Sequence, residues 1–127
     1  MAFVFAMLVL QACVSGSPTQ ERGKCRENPL IDAVRRGESM RVIARLVGAF
    51  RSEAELNPAA ILLQRQAIAS QQDRVLQSLQ GMSYQLIRRF VELPLLVLVV
   101  DEAALCRLLT TDLVVTVERD AAAASGP

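Results

Sequence analysis

From Met40 onward the apolar positions switch between a period of two and a helical period, and each switch marks a new element. Residues 40–50 alternate, with Val42, Ala44 and Leu46 on one face and Ile43, Arg45 and Val47 on the other, which predicts a first strand. A polar loop follows over 51–56. Asn57 and Pro58 then open a helix, because Asn accepts hydrogen bonds at an N-cap and Pro suits the first helical position. Ile61, Ile68, Val75 and Leu79 form a single stripe along it, Leu62 and Leu63 fall off that stripe, and Gly81 supplies the stop. Residues 84–90 read as a second strand, Glu92-Leu93-Pro94 as a turn and residues 95–100 as a third strand that is apolar on both faces. Asp101 caps a second helix with Leu105, Leu108 and Leu109 facing inward, and residues 110–112 connect it to a fourth strand over 113–117.

The predicted order is βαββαβ, an α+β arrangement of the ferredoxin-like type. Four antiparallel strands carry two helices on one face, and the first and third strands are central. Two helices cover only one face of such a sheet, so strands with one wet side should alternate apolar and polar. The third strand does not. Leu95, Val97 and Val99 share one face while Leu96, Leu98 and Val100 share the other. One of these sets is predicted to form an exposed apolar patch, the usual mark of an interface.

The N-terminal segment changes the picture next. No charge occurs before Glu21, and residues 1–14 are almost wholly apolar, about the length of a signal-peptide core and too short to span a bilayer. Leu10-Gln11-Ala12-Cys13 resembles a bacterial lipobox, which would lipidate Cys13; an ordinary cleaved signal with an incidental cysteine is the other reading. Residues 1–16 are therefore assigned as a signal peptide or lipoprotein signal. Residues 17–39 are assigned as a linker with a short helical stretch over 30–36, residues 40–120 as the domain, and residues 121–127 as a flexible tail. Export would put Cys25 and Cys106 in an oxidising compartment, where pairing and an unpaired state with an exposed Cys25 and a buried Cys106 both stand open.

Charge and composition exclude several functions. The 14 basic and 13 acidic residues nearly balance, which argues against nucleic acid or an anionic membrane surface as partner. The chain has no histidine, which removes Ser-His-Asp and Cys-His catalysis and most zinc sites. The reading is a non-enzyme that needs no cofactor or metal.

Several short motifs occur in order across residues 41–120. They are Arg41-Val42-Ile43-Ala44-Arg45-Leu46, Asp73-Arg74-Val75-Leu76, Arg89-Phe90-Val91-Glu92-Leu93-Pro94, Val100-Asp101-Glu102-Ala103-Ala104-Leu105 and Val114-Val115-Thr116-Val117-Glu118-Arg119-Asp120. Together they resemble the inhibitor I9 family, the propeptides of subtilisin-like serine proteases. The resemblance implies that the open sheet face docks on two surface helices of the protease. It also implies that Glu118 and Asp120 cap the exposed N-termini of those helices, where a carboxylate meets unpaired N–H groups and a positive dipole end. The segment Ala121, Ala122, Ala123, Ala124, Ser125, Gly126 would then run through the active site like a product, though small side chains fill specificity pockets poorly. A free-standing inhibitor and the pre-pro part of a protease precursor with a chaperone role share these motifs.

Other ferredoxin-like domains fit less well. Residues 51–56 carry no cysteine for a CxxC metal loop and no glycines for a phosphate cradle, and residues 95–100 carry no aromatic platform for RNA. An exported interaction or self-associating module unrelated to proteases remains the alternative.

Overall fold

The computed structural model describes residues 25–121. Helix α1 (Pro29–Gly37) leads into strand β1 (Met40–Leu46), and a 3₁₀ turn (Glu53–Glu55) precedes helix α2 (Pro58–Ser78). Strands β2 (Tyr84–Arg89) and β3 (Leu95–Val100) form a hairpin, followed by helix α3 (Glu102–Thr110) and strand β4 (Val114–Arg119). The sheet order is β2-β3-β1-β4 and every pairing is antiparallel. The first and third strands are thus central, as the βαββαβ pattern requires, and the fold is ferredoxin-like with an added N-terminal helix.

The helix starts follow from local chemistry. The Asn57 side chain accepts from Ala60 N at 2.8 Å, and the Asp101 side chain accepts from Ala104 N at 2.8 Å. Each satisfies a donor that the first helical turn leaves without a partner. Asn28 caps α1 in the same way, accepting from Leu30 N at 2.9 Å with Pro29 behind it.

One face of the sheet carries the core. Met40, Val42, Ala44 and Leu46 of β1 and Leu96, Leu98 and Val100 of β3 are buried there, against Ile68, Val75 and Leu79 from the α2 segment and Ala104, Leu105 and Leu108 of α3. Leu62 and Leu63, which fall off the α2 stripe, are exposed at 62% and 67%. A buried glutamine joins α2 to the hairpin: Gln72 Nε2 donates to Phe90 O at 2.8 Å and Leu95 O at 3.1 Å, while its Oε1 accepts from Arg89 Nε at 3.2 Å.

The segment expected to be a linker is, from Cys25 on, part of this core. Ile31 and Val34 on α1 are buried in the same cluster as β1, β3 and α3, so three helices rather than two cover the face. The short length and the charged residues around it hid an amphipathic turn whose two apolar positions, three apart, point the same way. Arg35 donates to Glu102 at 2.7 Å, and a disulfide joins Cys25 to Cys106 across α3 with a Cα–Cα separation of 5.3 Å. Cys25 is the buried partner and Cys106 the half-buried one, the reverse of the unpaired alternative.

Candidate functional site

The uncovered face of the sheet is built from alternate residues of all four strands. Register places Arg41 opposite Val99, Ile43 opposite Val97 and Arg45 opposite Leu95. On the far side of β3, Gln85 pairs with Val99 and Arg88 with Val97, and Ile87 is the extra residue of a bulge. On the near side of β1, β4 sets Glu118 opposite Ile43 and Thr116 opposite Arg45, with Val115 bulged out.

Leu95, Val97 and Val99 therefore lie on the uncovered face, but they do not form the exposed patch expected of them. Val97 is only 6% exposed, and Leu95 and Val99 are half-buried. The strands on both sides bring long side chains alongside this row. The aliphatic stems of arginines spread over apolar neighbours while their guanidinium groups stay in water. Arg88 also holds its guanidinium 4.3 Å from the centre of the Phe90 ring. The face is a mixed one, an aliphatic row flanked by Arg41, Arg45 and Arg88. Sequence alternation placed Arg45 there; Arg88 was hidden by the bulge, which shifts the parity of β2 by one residue.

The two acidic residues expected to act together are in different environments. Glu118 is exposed on the open face and makes no ion pair among the described residues. Asp120 is tied to the sheet: its carboxylate meets Arg41 Nε at 2.9 Å, its amide donates to Arg41 O at 3.0 Å, and its side chain is 12% exposed. Ala121 is the last described residue; Ala122, Ala123, Ala124, Ser125 and Gly126 lie outside the described residues, as does Cys13.

A second feature opens at one corner of this face, where β1 ends and β3 and β4 begin. A cleft of about 770 Å³ is lined by Leu46, Phe50, Leu93, Pro94, Leu95 and Val115, with Arg45, Arg51, Glu53 and Glu92 around it. Both carboxylates are engaged elsewhere. Arg65 holds Glu53 in a two-pronged pair at 2.5 and 2.9 Å and reaches Glu92 at 3.6 Å. The hydrogen bond from Arg65 keeps the Glu53 carboxyl below its ordinary pKa. Nothing in the chain's apolar pattern announced this cleft; it depends on how a loop and two strand ends meet.

Among the described residues no cluster of three or more His, Cys, Asp or Glu is placed to hold a metal, and no helix is long and apolar enough to cross a membrane. Comparisons with protein-family models, with curated proteins and with solved structures find no significant match to the chain.

Proposed function

We propose that this chain is a non-enzymatic, propeptide-type inhibitor of subtilisin-like serine proteases, or the equivalent pro-region acting as a folding chaperone. It docks through the open face of its sheet and works outside the cytoplasm. The observation that carries the reading is one juxtaposition: an aliphatic row on the uncovered face, Leu95, Val97 and Val99, with the exposed carboxylate of Glu118 on the neighbouring edge of that same face. The half-buried Leu95 and Val99 of this row leave apolar surface that suits packing against a partner's helices, and a carboxylate beside it suits the N–H groups at a helix start. The disulfide between Cys25 and Cys106 favours an oxidising compartment.

The two acids divide the work in this reading. Glu118 is the helix cap. Asp120, held by Arg41, fixes the direction in which the chain leaves β4 toward the protease active site. Self-association through the same face is less favoured, because face-to-face copies would bring Arg45 and Arg88 together against the single carboxylate of Glu118 from each copy.

The test is inhibition of a panel of subtilisin-type proteases, with trypsin-type enzymes as the control. Micromolar or tighter inhibition confined to the first group supports the reading. Glu118→Ala should weaken it about three- to thirtyfold, the range of ~0.7–2 kcal/mol typical of a cap. No inhibition of any subtilisin-type enzyme, or an unchanged constant in the variant, contradicts it.

A further inference from the structure

The cleft at the corner of the open face has a wall that the backbone is shaped to build. Gly48 adopts φ +148°, a conformation that L side chains rarely take. The space its missing side chain leaves is filled by the Phe50 ring: a Cβ at position 48 would lie 2.6 Å from Phe50 Cζ and 3.0 Å from Cδ2. The ring is thereby folded back to line the cleft with Leu93, Leu95 and Val115. Leu93 and Val115 are 48% and 60% exposed, so the apolar lining is open to a ligand.

The charges around this lining do not cancel. Glu53 and Glu92 both turn to Arg65, whereas Arg45 and Arg51 make no ion pair among the described residues. An occupant should therefore pair an apolar group with a carboxylate. The position of the cleft narrows the choice further. It borders Val115, the bulged residue of β4, and β4 is an edge strand with no neighbour on its outer side among the described residues. Unpaired edge N–H and C=O groups suit an extended peptide backbone and offer nothing to a hydrocarbon chain.

The geometry points to a peptide-binding site in this cleft, which takes an extended segment of a partner protein bearing an aliphatic side chain beside a carboxylate. The aliphatic group enters between Phe50, Leu93 and Val115, and the carboxylate meets Arg45 and Arg51. This site shares Leu95 and Arg45 with the edge of the open face but does not include Val97, Val99 or Glu118, and it stands whether or not the chain inhibits a protease.

The experiment uses the whole chain and a fluorescein-labelled peptide, Gly-Val-Leu-Val-Asp-Asp, with its Asn-Asn counterpart and sodium decanoate as comparison probes. Binding is followed by fluorescence polarisation and by backbone amide NMR shifts. The acidic peptide should bind and shift amides of Gly48, Phe50, Leu93 and Val115. The Asn-Asn peptide should bind about tenfold more weakly or worse, the effect of losing charge-assisted hydrogen bonds. Arg51→Gln, at an exposed position that leaves the fold alone, should lower affinity for the acidic peptide about tenfold and leave the Asn-Asn peptide unaffected. Gly48→Ala, which displaces the Phe50 ring, should weaken both. Equal affinity for the two peptides, shifts elsewhere on the sheet, tighter binding of decanoate than of the peptide, or self-association through this corner in place of peptide binding would each overturn the assignment.

Discussion

Removing the Cys25–Cys106 disulfide should destabilise the domain more than any single side-chain truncation on its surface. The two cysteines are 81 residues apart in sequence, so the bond closes a loop that contains nearly all of the described fold. In the chain-entropy model a loop of that length restricts the unfolded state by about 4.5 kcal/mol, from an entropy near −15 cal/mol/K at 25 °C. A domain of this size has of order 5–15 kcal/mol in total, so the bond accounts for roughly 30% of it or more. The perturbation is Cys25→Ala with Cys106→Ala, since alanine avoids leaving a hydroxyl in the buried Cys25 position. With a urea dependence of about 1.5 kcal/mol/M, the midpoint should fall by about 3 M. Urea titration followed by circular dichroism gives the answer, and wild-type protein in dithiothreitol should match the variant. A loss below about 1 kcal/mol would refute the reasoning, since it would mean that the bond restricts the unfolded chain far less than a loop of this length requires.

The helix preceding β1 supplies a second test. Ile31→Ala should cost about 2–5 kcal/mol in the same titration, as for a buried isoleucine, whereas a residue in a solvated connector would cost under about 0.5 kcal/mol. Acid stability follows from two carboxyls held below their ordinary values, Glu53 by its hydrogen bond from Arg65 and Glu102 by its hydrogen bond from Arg35. A lowered folded-state pKa means that the stability these pairs add is full above the ordinary glutamate value of 4.5 and is lost as pH falls through the lower folded value. Below pH 4.5 the wild type should lose stability more steeply than Glu53→Gln/Glu102→Gln, and parallel curves would show that the pairs add nothing.

Much of the fold is legible in the sequence because its determinants are local. Asn57 and Asp101 announce helix starts, and the Ile68, Val75, Leu79 stripe and the Val42, Ala44, Leu46 alternation identify inward faces. The order of elements then fixes the central strands. Helix α1 was harder to see, because nine residues with two buried positions give little period to detect, and its anchor is a cysteine from outside the helix. The open face was half legible. Parity assigned Leu95, Val97 and Val99 together, but the residues that share their face come from two neighbouring strands, and a bulge at Ile87 hides that Arg88 is one of them. The ion pair between Arg41 and Asp120 joins residues at opposite ends of the domain, and no spacing rule reaches that far. The cleft beside Gly48 and Phe50 is a product of tertiary assembly alone.

The central claim is that the uncovered sheet face docks on a subtilisin-type protease. Val99→Glu in the whole chain tests it most directly. Val99 is half-buried on that face and sits opposite Arg41, so the sheet can accept a carboxylate there while the aliphatic row is broken. Calorimetric titration against a catalytically inert subtilisin-type protease should show micromolar or tighter binding by the wild type and a loss of about tenfold or more in the variant, with an unchanged circular dichroism spectrum. Absence of wild-type binding, or equal binding by a folded Val99→Glu protein, would contradict the account.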